Sequence, residues 1–414
     1  MLKGSVSSKV FLFLTVATAL FVVIFSCVPV TPGENAKELV IQTSRHGHLT
    51  NAHLVYARDG LTGTWVKLTG TNGVYKFTVN DSQGLYSVAI AEPEFGYNPK
   101  KVWFFNAKLS ETNFLHIDVF NATDEDAATL TVNMPAGYND KQLGVFFHHE
   151  HRFPNVESNK AVAPQLPKAK ADLVIFVGTP WSESGIEKVA IIRDFVLDAD
   201  KEISLTEEML KAPESATKFD DIFVEWLVGG TTEIFGVDSI KIPSALKNDK
   251  DLYILGFADW NRGFAYNEYR KDYPTTTPFA TSSINPANLP ETRVSTSVEA
   301  NNLKIVITPY NPNLTGLETI LYTTIFGYYD SIDSYGNPEF DVEYLAYISS
   351  GYLSAVSNNY VVPKIGGDFA QFDIDTTKNT LVGPPFYAAS NKNVKELFVP
   401  TDGTKMLKFG YWGF

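Results

Sequence analysis

The stretch with the clearest chemistry is "VVIFSCVPV", residues 22–30. Its Cys27 is the single cysteine among 414 residues, so any thiol chemistry belongs to this one position. Three further groups have the residue types of a site. "FFHHEHRF" carries His148, His149 and His151. On a strand His149 and His151 share one face, a two-ligand geometry for a zinc ion. "DWNRGFAYNE" sets the oxygen donors Asp259, Asn261 and Glu268 around Gly263, in the manner of a reduced calcium loop. Trp181 and Trp260 each close an apolar run, where an exposed indole can stack on a sugar ring.

Each group has a plainer reading, which the sequence favours. The histidine stretch fits a polar edge strand that resists pairing, and no third ligand follows at a defined spacing. The acidic loop offers fewer side chains than the roughly six to eight oxygens calcium wants. A tryptophan at a strand end more often packs than binds. Gly-x-Ser-x-Gly, His-Glu-x-x-His and phosphate-loop motifs are absent. Glu207–Glu208 and Asp220–Asp221 are sequence neighbours, whose side chains point apart on a strand. No catalytic residue and no cofactor is expected.

Lys3 and Lys9 precede the apolar run "VFLFLTVATALFVVIFS", which ends at Ser26. A basic start, a short apolar segment and a small residue form the pattern of a secretory signal. The run is shorter than the ~20 residues of a spanning helix. Ile24, Ser26 and Cys27 resemble the lipobox of bacterial lipoproteins. That resemblance implies cleavage before Cys27, a diacylglycerol on its thiol and tethering to a lipid bilayer. Residues 1–26 are then a lipoprotein signal peptide and 27–37 a short tether, whose "VPVTPGENAK" has no apolar period. The expected location is the bacterial cell envelope, facing the periplasm or the exterior.

A net charge of −13 excludes the counterion release that drives nucleic-acid binding. The 29 Phe and 20 Tyr favour half-buried pleated surfaces. Runs such as "GVYKFTVN" alternate, with Val74, Lys76 and Thr78 on one face and Tyr75, Phe77 and Val79 on the other. Residues 164–181 align without gaps on 243–260. Pro164/Pro243, Lys168/Lys247, Asp172/Asp251, Leu173/Leu252, Ile175/Ile254 and Trp181/Trp260 are identical. Such a repeat predicts that each aspartate begins a strand and that each Leu and Ile pair is buried in a separate sandwich.

Four modules are expected, at 38–125, 126–214, 215–290 and 291–414. "SLTEEMLKA" should form a short helix behind a capping box of Ser204 and Glu207. "GTWVKLTG…GVYKFTVNDSQGLYSVAIAE" and "ADLVIFVG…KVAIIRDFVLDADKEISL" resemble segments of uncharacterised bacterial secreted lipoproteins. More loosely, they are similar to transthyretin-like or carboxypeptidase-regulatory-like sandwiches. The fold class expected is all-β, as tandem immunoglobulin-like or transthyretin-like β-sandwich modules behind the signal peptide. The expected function is a membrane-anchored, non-catalytic scaffold for an envelope glycan or protein partner. The alternative is a polysaccharide-binding protein or secreted carbohydrate-active enzyme.

Overall fold

A computed structural model describes residues 37–45, 48–94, 99–119, 127–148, 150–178, 185–259, 261–286, 295–299, 301–332, 338–383 and 385–409. Cys27 and the lipobox, His149, Trp181 and Trp260 lie outside the described residues. The chain is nearly all β and builds its core between stacked sheets, an all-β sandwich fold.

Alternation dictates the first layer pair. Strand Glu38–Arg45 pairs antiparallel with Val74–Thr78 and parallel with Phe114–Asp118. Leu39, Ile41, Tyr75, Leu115 and Ile117 therefore share one face. That face packs on Val55, Val88, Ile90, Trp103 and Phe105 of the strands Leu54–Asp59, Leu85–Glu92 and Lys100–Lys108. Asn72 and Gly73, both at positive φ, make the tight turn into Val74–Thr78.

In the second segment Ala127–Asn133 lies between Lys160–Pro167 and Lys201–Ser204. A four-stranded sheet faces them: Glu150–Arg152, Leu143–Phe147, Ala169–Gly178 and Ile186–Leu197. Leu130, Val132, Val145, Phe147, Leu173 and Ile175 fill the space between. The helix expected at "SLTEEMLKA" is absent. Ser204 is instead spent in a strand, opposite Asn133, and a turn with a Met209 N–H to Thr206 carbonyl bond of 3.0 Å follows. Strand pairing took the residue that would have capped the helix.

The opposite face of that four-stranded sheet is also covered. Phe146, Val174 and Phe176 pack on Val224, Trp226, Tyr253 and Leu255 of the strands Phe223–Val228 and Leu252–Asp259. The two repeat strands therefore share one core through Val174/Phe176 and Tyr253/Leu255. Their other faces serve separate cores, as expected, with Leu173 and Ile175 in one and Leu252 and Ile254 in another. Asp251 directly precedes its strand, whereas Asp172 stands inside Ala169–Gly178, contrary to expectation. The register slips between Ala171 and Leu173, so the strand effectively restarts at Asp172.

Thirteen strands form one sheet among the described residues. Thr232–Ile234, Phe223–Val228, Leu252–Asp259 and Phe264–Arg270 lead into Lys405–Phe409, Phe386–Ser390, Glu318–Ile332 and Pro338–Ser349. The sheet then continues into Lys100–Lys108 and its first-segment neighbours. Pro338–Ser349 runs parallel to Lys100–Lys108, from Val342 opposite Lys100 to Ile348 opposite Asn106. Strands from three of the four expected segments thus share one hydrogen-bonded sheet. Leu303 and Ile305 of a smaller sheet cover it, against Phe326, Tyr344 and Phe104.

Candidate functional site

The residues singled out from sequence fall in different surroundings. Asp259 ends its strand, and its Oδ1 accepts the Arg262 N–H at 3.0 Å across the turn to Phe264. Glu268 lies opposite Leu255, four residues further along the ladder, or about 13 Å at the rise of a strand. Its Oε1 accepts the Arg270 Nε–H at 2.7 Å. Asn261 is exposed in the turn. Asp259 and Glu268 therefore do not share a site, and no three His, Cys, Asp or Glu side chains gather around an ion position among the described residues.

His148 adopts φ +56, which breaks the strand across the histidine run. His151, beyond the break, pairs opposite Phe146. Its ring lies 5.8 Å from that of Phe146, 5.3 Å from Phe153 and 5.1 Å from Phe235. Burial pushes its pKa below the usual histidine value, with Arg152 adding to the fall and Glu150 opposing it. A proton binds such a ring less readily in the folded state than in the unfolded one. The stability it contributes is present above about pH 6.5 and declines as pH falls through that value towards the folded pKa. The urea midpoint of wild type should therefore fall relative to that of His151→Phe as pH is lowered from 7.5 to 5.5. Parallel pH profiles for the two proteins would refute the assignment.

The structure assembles three clusters that sequence reasoning missed. The first joins the repeats. Arg193 Nη1 donates to Asp172 Oδ2 and to Asp251 Oδ1, each at 2.7 Å. Its Nη2 reaches Asp251 Oδ2 at 2.6 Å and the Leu246 carbonyl at 2.5 Å. Asp251 also accepts the Gly229 and Asn248 N–H groups, and Asp172 accepts that of Asp194. Gly229 is required here. It sits at φ +63, and a Cβ on it would stand 2.2 Å from Asp172 Oδ2. The identical aspartates of the repeat were the available signal; the arginine between them was not.

The second cluster has the residue types of a nucleophilic triad. Ser44 Oγ lies 2.8 Å from His116 Nε2 and donates to Asp118 Oδ1 at 2.9 Å. Ser44 Oγ thus sits between the imidazole and the carboxylate, and the His116 tautomer sets the direction of the bond to Nε2. All three residues are at most 2% exposed, which closes them to substrate. The network reads as a clamp on the parallel pair, in which Ser44 lies opposite Asp118.

The third cluster lies on the thirteen-stranded sheet. Glu225, on Phe223–Val228, hydrogen bonds to Glu233, on Thr232–Ile234. Burial, then the neighbouring Glu233, pushes the Glu225 carboxyl well above the usual range. Lys408, on Lys405–Phe409, is pushed down by burial against the pull of Glu233 and Glu225. Tyr269 is within electrostatic reach of both glutamates and hydrogen bonds to Asn267. Nothing in sequence spacing links these positions.

The architecture defines an all-β protein of stacked sheets. No family model matches the chain, and no curated protein matches it. Among solved structures it is similar to the Bacillus anthracis TIE protein over 56% of this chain, at 13% identity and a TM-score of 0.17. The match spans 45% of that protein's length. A Bacteroides ovatus protein, SGBP-B of the mixed-linkage glucan utilization locus, was solved with a mixed-linkage heptasaccharide. It aligns over 92% of this chain and 98% of its own, at 8% identity and a TM-score of 0.09. At these scores neither likeness bears on the fold, the source or the ligand of this chain.

Proposed function

We propose that this chain is an exported lipoprotein whose β sheets serve as a non-catalytic binding or structural scaffold at the bacterial cell envelope. The observation that carries the reading is the placement of the sole thiol. Cys27 follows a basic start, an apolar run and Ser26, where lipidation would use it. Each buried CH₂ of an acyl chain is worth about 0.8 kcal/mol, so two or three chains hold a protein firmly to a bilayer. The tether of residues 27–37 then carries the sheets away from the lipid surface.

Two features support a scaffold over an enzyme. The serine, histidine and aspartate that come together are buried, which keeps a substrate from reaching them. The thirteen-stranded sheet ties the first and last segments into one ladder, which suits a rigid presenting body. Replacing Cys27 by Ala should move the protein from the membrane fraction to the soluble fraction and abolish acylation seen by mass spectrometry. Unchanged membrane retention with no acyl chain on Cys27 would sink the anchor, and a scaffold role would then need another tether.

A further inference from the structure

We propose that Lys408 and Asn267 become joined by an intramolecular amide between their side chains, at the place where the last described strand enters the large sheet. The inference is independent of the lipid anchor.

The register makes the two residues neighbours. Phe264–Arg270 and Lys405–Phe409 are antiparallel, with Ala265 opposite Lys408 and Asn267 opposite Met406. Asn267 and Lys408 are thus diagonal partners on one face of adjacent strands. Such diagonals are separated by about 7–8 Å, within reach of a long side chain. On its other side Asn267 faces Gly256, and the Phe223 ring, from the strand of Glu225, packs over that glycine. The Asn267 Oδ1 is buried and accepts no hydrogen bond among the described residues. Tyr269 links the groups, since it bonds Asn267 and senses both Glu225 and Glu233.

The chemistry needs a neutral amine, an amide carbon and an acid that keeps its proton. Burial pushes Lys408 down, towards the first, and Glu225 well up, towards the third. Lys408 Nζ attacks Asn267 Cγ, and the carbonyl oxygen takes on charge that the protonated carboxyl can meet. The Nζ–Cγ bond forms and the Cγ–Nδ2 bond breaks. The proton lost from Nζ passes through the Glu225–Glu233 pair to Nδ2, which leaves as ammonia. Nothing is oxidised or reduced, and no co-reactant is required. The electrophile, the nucleophile and the acid come from one folded chain, which removes the entropic cost of bringing them together.

A second trio of the same residue types provides an internal contrast. Lys160 lies directly opposite Asn133. Glu202 Oε1 accepts from Asn133 Nδ2 at 2.7 Å and from Lys160 Nζ at 3.0 Å. Here the Lys160 and Glu202 side chains are 55% and 54% exposed. The bonds from Asn133 and Lys160 hold Glu202 below the usual carboxylate range. Its carboxylate pairs with the Lys160 side chain, so this trio has no carboxyl pushed up to serve as the acid. Surroundings set the two trios apart: Glu225, Asn267 and Lys408 are half-buried, whereas Lys160 and Glu202 are exposed.

Peptide mapping of the full folded chain by mass spectrometry decides the matter. The expected result is a branched species joining the Asn267 and Lys408 peptides, lighter than their sum by one ammonia. Asn133 and Lys160 should stay unmodified. Lys408→Arg and Asn267→Ala should each lose the branched species, and Glu225→Gln should fold but leave most chains unjoined. Separate, unmodified Asn267 and Lys408 peptides in folded wild type would overturn the proposal. So would a bond that maps to Asn133 and Lys160. The wild-type map decides even where a variant fails to fold. A fully joined Glu225→Gln protein would overturn the role given to Glu225.

Discussion

Arg193→Ala should destabilise the protein by about 3–5 kcal/mol, the cost of stripping one partner from a buried ion cluster. Asp251 is 0% and Asp172 8% exposed, so water cannot replace the lost cation at either carboxylate. Removal of the guanidinium leaves the two aspartates beside one another with only backbone N–H groups to meet them. Arg193→Lys should recover little. One ammonium cannot reproduce a fork that spans two carboxylates and the Leu246 carbonyl. The measurement is the denaturant midpoint and slope for each variant. A loss below about 1 kcal/mol would mean that the cluster behaves as an exposed pair and does not couple the repeats.

Trp226→Ala should cost a similar amount, about 3–5 kcal/mol, for a different reason. Trp226 is fully buried between the second segment's four-stranded sheet and the large sheet. Its ring meets Phe176 edge-on at 5.6 Å, and its Nε1 donates to the Ile240 carbonyl at 3.3 Å. Truncation opens a cavity in the core the two repeat strands share, and orphans that carbonyl. Trp226→Phe keeps most of the ring and should lose much less. Hydrogen exchange should rise in both Ala169–Gly178 and Leu252–Asp259 of the alanine variant, since one core holds both. Faster exchange confined to Leu252–Asp259 would show that the second segment's sheet does not depend on this packing.

Two kinds of information separate in this chain. Alternation in "GVYKFTVN" foretold that Tyr75 and Val79 are buried while Lys76 and Thr78 are exposed, because the pleat sends successive side chains to opposite faces. The repeat foretold the burial of Leu173, Ile175, Leu252 and Ile254 for the same reason. The helix expected at Ser204 failed because a capping residue has a local preference worth about 1 kcal/mol, which strand pairing outweighs.

Local pattern therefore determined that the chain is strands, where its turns fall, and which face of many strands is apolar. It also gave the expectation about Cys27, which depends on a contiguous motif. Which strands pair was decided by the tertiary structure alone. The parallel ladder of Pro338–Ser349 on Lys100–Lys108, and the entry of Lys405–Phe409 beside Phe264–Arg270, join positions far apart in sequence. A strand's period of two is the same whichever neighbour it takes, so periodicity carries no record of the partner. The clusters around Arg193 and Lys408 exist only through those pairings. Their side chains become neighbours across sheets and ladders, and burial there, which no sequence spacing encodes, pushes Glu225 up and Lys408 down.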